Sequence, residues 1–567
     1  MSQRKSTRLN NKSDKSSRKR KNEENNIEDP VLEGLTIEDG KIIVDEHVLK
    51  RLKRLKSLKE TDQTPPEKTT INPFINYPAF SNVHNNGEPL SSELLQRYSD
   101  KFNNNPESVK MAEMMGNIPI DFLALQYSQM KADNWDYNTK LSVSPTVVSQ
   151  ESSGRCWIYA ATNCLRYSIM KKFHLCPKFE FSQGYLFFYD KIERANVFLQ
   201  YMWELKDRDL RDPIVSIFNG FEDNPIITDG GVYTYYQNLV KKYGIVPKNV
   251  YGDGFNCKLS DYMNNTVKLI LNHMCLEIRR NNWTQEEFNV KKEEYMETVY
   301  DLYVRFLGEP PKPTDTFTWT FKDIHGESHE FKNLTPEKFY RVVVPHDDEM
   351  VTIIHDPRHP ETQFMTSWVE GGINIQGGLP FNMINVPLDV FKRVVYSSLE
   401  NDEPVWFCCD VSKSFDSECK TWDTKRFNYN SILGCPTTYD KGDMLDALTS
   451  KPTHAMCFNG VDVEKDIDDK VVKYNRWRVD NSWGYSLEEL EKDSGFYKMM
   501  DNYFDQYVYC AAVNLKYFNP KETETMVNNA DQGKYFTYDL TDAFGTVASC
   551  DCRSCLKGKK GNKPNKV

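Results

Sequence analysis

The sequence predicts an α+β protein, and three observations carry that reading. Trp157, Ala161, Leu165, Ile169 and Phe173 recur every four residues, the repeat of one helix face. "THAMCFNGVDV" and "KVVKYNRWRVDNSWG" are apolar, aromatic and β-branched runs flanking the polar turn "EKDIDD", the pattern of a hairpin. Between these landmarks, helical runs and strand-like runs alternate without an internal repeat. With 567 residues, 39% hydrophobic and 13% aromatic, the chain has material for a large aromatic-rich core and added modules, which excludes a wholly disordered protein.

Residues 1–88 read as a basic, largely disordered extension, because "MSQRKSTRLNNKSDKSSRKRKNEENN" has almost nothing to bury. Residues 1–59 hold 16 Lys/Arg against 10 Asp/Glu, so a basic tail precedes an acidic body in a chain of net charge −10. The cluster Arg18 to Lys21 reads either as a nuclear address or weak nucleic-acid contact, or as a solvated tail. Leu49, Leu52, Leu55 and Leu58 suggest a short docking helix, and "TDQTPPEKTT" a linker. The polar N-terminus resembles no secretory leader, and no stretch has the length of a membrane span. The 14 cysteines are therefore expected to be reduced, in the cytoplasm with the nucleus as alternative.

The folded body is expected over 89–518. "PLSSELLQRYSDKFNNNP" starts it with a helix capped by Ser91 or Ser92. Within about 179–400, "FEFSQGYLFFYDKIERANVFLQYMWEL" reads as one helix and "SDYMNNTVKLILNHMCLEIRRNNWTQEEFNVKKEEYMETVYDLYVRFLG" as two more. "TFTWTFKDIHGESHEF" alternates like a hairpin turning at His325-Gly326. Residues 519–567 are expected to follow the body as a separate C-terminal segment.

Chemistry concentrates at "SQESSGRCWIYAATN". Ser152, Ser153 and Gly154 are turn and cap residues, so Cys156 falls at a helix N-terminus. There the helix dipole lowers a thiol's pKa and favours an accessible thiolate. Taken alone, a cysteine in this place reads better as a buried structural residue. A nucleophilic thiol requires an imidazole, and the imidazole an orienting group. His454 and Asn481 lie symmetrically about the "EKDIDD" turn, so a regular hairpin sets them opposite each other, with Trp483 placed to cover their hydrogen bond. Gln150 and the Cys156 backbone N–H supply two donors for an oxyanion.

No metal or organic cofactor is expected. His355 and His359 in "HDPRHPE" have a ligand-like spacing, but Pro357 and Pro360 deny them a common helix. Cys550, Cys552 and Cys555 lack a fourth ligand nearby.

Gln150, "SGRCW", "THA" and "NSWG", in this order, resemble the active-site motifs of papain-like cysteine peptidases. The 298-residue step from Cys156 to His454, and segments such as "DGGVYTYYQNLVKKYGIVPK" and "EPVWFCCDVSK", are similar to the bleomycin hydrolase, or aminopeptidase C, branch. The resemblance runs from about Pro89 to Ser549. It implies a helical half and a β-barrel-like half with a cleft between them, large helical and hook-like insertions, and a homohexamer enclosing its active sites. It also implies Cys156 as nucleophile, His454 as acid and base, Asn481 as its orienting partner and Gln150 as oxyanion donor, with Trp157 and Trp483 in support and peptides as substrates. In such peptidases the chain's own terminus lies in the cleft and its carboxylate holds the substrate's free amine. "LTDAFGTVAS" matches that ending, which assigns Ala548 and Ser549 to the specificity arm. The 18 residues that follow, "CDCRSCLKGKKGNKPNKV", depart from it; trimming near Ala548 or Ser549 would restore the usual terminus, whereas an attached tail would permit endopeptidase or acyl-transfer activity.

Overall fold

The computed structural model describes residues 88–131, 134–210, 212, 215, 228–343, 349–484 and 495–545, and the backbone of two short strands before them. The basic cluster at Arg18 to Lys21, the expected docking helix, the linker, Ala548, Ser549 and the overhang 550–567 lie outside the described residues.

The chain divides into two compact units, residues 1–101 and 102–567. In the first, β1 (Leu35–Glu38) pairs antiparallel with β2 (Lys41–Val44), Glu38 opposite Lys41. This hairpin departs from the disorder expected of the extension. Its signal was local: β-forming residues flank Asp39-Gly40, a two-residue turn sequence. α1 (Ser92–Asn103) starts where Ser91 Oγ accepts the Leu94 N–H at 3.1 Å.

In the second unit, α2 (Pro106–Asn117) is capped by Asn105, so the "NNNP" that ends one helix begins another. β3 (Thr139–Lys140) leads to α3 (Cys156–Phe173), then α4 (Gln183–Glu204), α5 (Tyr233–Tyr243), α6 (Asp261–Arg280) and α7 (Gln285–Leu307). The helix read from "FEFSQGY" begins only at Gln183, because Ser182 Oγ caps the Tyr185 N–H and Phe181 bridges to Pro247 instead. Thr284 and Glu287 form the capping box that separates α6 from α7. β4 (Phe317–Lys322) and β5 (Ser328–Leu334) form the expected antiparallel hairpin, with Gly326 at φ +85° in its turn.

Twelve strands make the main sheet: β3 together with β6 (Met350–Ile354), β7 (Thr366–Val369), β8 (Asn382–Asn385), β9 (Val405–Cys409), β10 (Phe415–Asp416), β11 (Thr421–Trp422), β12 (His454–Lys465), β13 (Val471–Asp480), β14 (Tyr497–Met500), β15 (Val508–Asn514) and β16 (Tyr535–Tyr538). Their order is β10-β11-β14-β13-β12-β9-β15-β6-β8-β7-β16, with β3 beside β12. The central strands β9 and β15 are buried at every residue and carry no polar alternation, as strands covered on both faces should.

Two apolar clusters fill this unit. One gathers α3 to α7 and the β4–β5 hairpin; the other gathers β9, β12, β13 and β15. α3 lies between them, giving Trp157 and Ile169 to the first and Tyr167 to the second. The four-residue stripe therefore understates its burial: every residue from Cys156 to Asn163 is buried, whereas Leu165 and Phe173 are only half-buried. Among the described residues no helix is long and apolar enough to cross a membrane.

Candidate active site

Cys156 is the first residue of α3, at the end where backbone N–H groups lack intrahelical partners. The cap expected from Ser152, Ser153 and Gly154 is absent. Arg155 holds the cap position with φ −82° and ψ 16°, and no side chain caps the helix. Ser153 Oγ is already committed, donating to Gln150 O at 2.7 Å and accepting from Arg155 Nε at 2.9 Å. Arg155 turns inward to Asp253, 3.2 Å away. Nor is the thiol exposed as expected: Cys156 is fully buried, at 0% exposure.

Cys409 faces His454, which opens β12 and is wholly buried. This register places the histidine at the first residue of β12, beside the last residue of β9. His454 Nε2 meets Asn481 Oδ1 at 2.9 Å, whereas Nδ1 has no hydrogen-bond partner among the described residues. Since a carboxamide oxygen only accepts, the proton sits on Nε2 and a neutral ring keeps its lone pair on Nδ1.

The contact exists, but not by the symmetric pairing expected. The β12–β13 ladder aligns Cys457 with Asp480 and is interrupted by three irregularities, so its register is displaced from the one centred on the turn. Asn481 comes just after β13 ends, and its side chain reaches diagonally to His454. Burial pushes the His454 imidazole down to about 4, with the Asn481 bond opposing. The Trp483 ring lies 5.1 Å from the imidazole at 27°, covering the pair as expected.

Gln150 ties the two halves of the site together. Its N–H donates to Ser482 O at 2.8 Å, its Oε1 accepts from Ser482 Oγ at 2.5 Å, and its Nε2 donates to Ser153 O at 2.6 Å. The next link along, Gly484 N–H to Val148 O at 3.0 Å, extends the same clasp. The turn carrying the cysteine and the segment following Asn481 are thus stitched edge to edge.

Sequence reasoning missed the residues that hold this turn from the other side. Asp229 Oδ2 accepts the Gly154 N–H at 3.1 Å, and Asp229 O accepts Trp157 Nε1 at 2.7 Å. The Asp229 carboxylate also takes Lys191 at 2.7 Å, Asn264 Nδ2 at 2.6 Å and the Ser260 hydroxyl. Burial alone would raise its pKa, but Lys191 and these donors hold it well below the usual carboxylate range. Asp253 does the same for Arg155: burial pushes it up, yet Arg155 and Lys248 bring it to about 2. The only signal for Asp229 was an acid before Gly230-Gly231. A Cβ on Gly231 would sit 2.4 Å from the Trp157 ring, so glycine is required for that approach.

The C-terminal arm is described up to Gly545. Asp542 receives both Arg358 guanidinium nitrogens, at 3.0 and 3.1 Å, and Arg358 also grips Asp356. Ala543, Phe544 and Gly545 are buried beyond this anchor. His355 and His359 do not converge: His355 Nδ1 is 3.1 Å from Val386 O, while His359 Nδ1 is 3.2 Å from Glu361 and its ring packs on Phe536.

Residues 89–536 match the profile of the Peptidase C1-like family. Aminopeptidase C of Lactobacillus delbrueckii subsp. lactis is 33% identical over 434 residues, covering 75% of this chain and 92% of that protein. Human bleomycin hydrolase is 30% identical over 437 residues, covering 76% and 93%. The crystal structure of PepW from Lactobacillus rhamnosis HN001 superposes with a TM-score of 0.74 at 27% identity, covering 81% of this chain and 99% of that one. Matched across its folded body by sequence and by fold, the chain belongs to the Peptidase C1-like family, in the aminopeptidase C and bleomycin hydrolase branch of the papain-like cysteine peptidases.

Proposed function

We propose that this protein is a cysteine aminopeptidase in which Cys156, His454, Asn481 and Gln150 act together on peptides. The observation that carries the reading is the His454 ring, bonded through Nε2 to Asn481 at 2.9 Å with Nδ1 left over, at the first residue of β12. A neutral buried imidazole favours the basic form, and an imidazolium is tolerated only beside an anion. The Cys156 thiolate is that anion, so sulfur and ring ionise as a pair.

Cys156 Sγ attacks the scissile carbonyl carbon and the carbonyl oxygen gains the charge, with Gln150 and the Cys156 N–H as donors to it. His454 Nδ1–H then protonates the leaving amine as the C–N bond breaks, giving the thioester. The same nitrogen deprotonates water, whose attack on the thioester returns the acid and the free thiol. No step calls for a metal. Asn481 holds the ring's tilt throughout, Trp483 shields that bond, and Trp157 fixes the first turn of α3.

The names aminopeptidase C and bleomycin hydrolase borne by its relatives support exopeptidase action. We assign Ala548 and Ser549 to the arm that measures the substrate's amino end, beyond the Arg358–Asp542 anchor. A homohexamer in the cytoplasm, with the nucleus as alternative site, completes the reading; sedimentation and cell fractionation test these two points. An attached overhang would favour endopeptidase or acyl-transfer activity. A second reading, nucleic-acid association on a peptidase scaffold, draws on the basic tail, and removal of residues 1–59 should abolish such binding while leaving cleavage intact.

Fluorogenic aminoacyl substrates with free and blocked amino ends provide the main test, on the wild type and Cys156→Ala. Cleavage of the free substrates alone, lost in the variant, is the expected result. Equal activity of the variant would end the proposal.

A further inference from the structure

Outside the proposed reacting groups, α3 and β12 meet through a pair of sulfurs. Cys164 Sγ donates to Cys457 Sγ at 3.3 Å. Cys457 is fully buried and donates in turn to Phe458 O at 3.4 Å, while Cys164 is half-buried. The two residues are 293 positions apart, so no local chain geometry brings them together. Each lies on an element that opens with a proposed reacting residue: Cys164 is eight residues into the helix that starts at Cys156, and Cys457 three residues into the strand that starts at His454.

We propose that Cys164 and Cys457 form a reversible oxidation site, a dithiol that peroxide converts to a disulfide cross-linking α3 to β12. The sulfurs stand 3.3 Å apart, against the roughly 2.05 Å of a disulfide. Burial pushes the Cys457 thiol well above its ordinary value, and the Cys164 sulfur beside it adds to that shift, which assigns the first attack to the more exposed partner. The Cys164 thiolate attacks one oxygen of hydrogen peroxide, the O–O bond breaks, and the departing hydroxide takes a proton to become water. The resulting Cys164 sulfenic acid is attacked by Cys457 sulfur; the S–O bond breaks, and the hydroxyl leaves as a second water with the Cys457 proton. Two thiols lose two electrons and two protons, and one peroxide becomes two waters. A reducing thiol reverses the change.

The test treats the full-length protein with hydrogen peroxide and maps its peptides without reduction. A Cys156→Ala background removes oxidation at the proposed nucleophile, and the unsubstituted protein is mapped in parallel in case that variant misfolds. The expected product is a linked pair of peptides containing Cys164 and Cys457, lighter by two hydrogens, separated by reductant and absent after Cys164→Ser. Free alkylation of both thiols after treatment would overturn the proposal. So would Cys164 ending as a sulfinic acid or bonded to a different cysteine.

Discussion

His454 and Asn481 touch at 2.9 Å although the ladder between their strands pairs neither with the other. The bond depends on one carboxamide reaching past a strand end, so Asn481 has no backbone substitute for its role.

Asn481→Ala is expected to lower kcat by about a hundredfold while moving KM little, since the ring loses its tilt and not the substrate its contacts. The bond to Asn481 raises the imidazole pKa. Its removal should therefore shift the alkaline limb of kcat/KM to lower pH, which a pH–rate profile on an unblocked aminoacyl substrate would record.

Acid should destabilise the fold through His355. Burial, with Lys441 nearby, pushes His355 down to about 4 from an ordinary 6.5. The native value lies below the unfolded one, so the unfolded chain binds a proton first and stability falls as pH drops from about 6.5 towards 4. Urea midpoints across that window should show His355→Gln losing one proton's share of the slope, about 1.4 kcal/mol per pH unit.

Asp229 holds the turn before Cys156 through the Gly154 N–H. Asp229→Ala strands Lys191 in the interior and should cost about 3 kcal/mol or more of unfolding free energy. The milder Asp229→Asn should fold but lose about tenfold or more in kcat, with KM nearly unchanged, because the Gly154 N–H and the Lys191 ammonium lose their carboxylate partner. Chemical denaturation and steady-state kinetics on the pair of variants separate the two effects.

Arg358→Ala should loosen the C-terminal arm at Asp542, lowering stability by about 2 kcal/mol. Amide exchange over residues 535–545 should rise, and Asp542→Asn should reproduce the change in the same experiment.

If the overhang is removed by the proposed activity, wild-type protein should have an intact mass ending near Ala548 or Ser549. Cys156→Ala should retain all 567 residues. Full-length mass in both would leave the amine-binding carboxylate unformed and point to endopeptidase action.

Much of this site was legible because its signals were local. A four-residue apolar period located α3, and a turn sequence marked its start. Polar residues set within apolar strands singled out His454 and Asn481. What could not be read was how distant parts meet. The irregularities in β12 shift its register by side-chain and backbone packing that no hairpin symmetry contains. Arg155 looked like part of a polar turn, yet it is wholly buried because Asp253, almost a hundred residues later, neutralises it. The Asp39-Gly40 hairpin was legible and overlooked within a polar extension.

The turn before Cys156 takes its outer support from Asp229 and Asp253, which belong to the long stretch between the helix of the cysteine and the strand of the histidine. That stretch is therefore not cargo hung on a self-sufficient minimal protease. A shortened chain that kept all four reacting side chains but lacked this middle part would carry the tools without the vice that grips them.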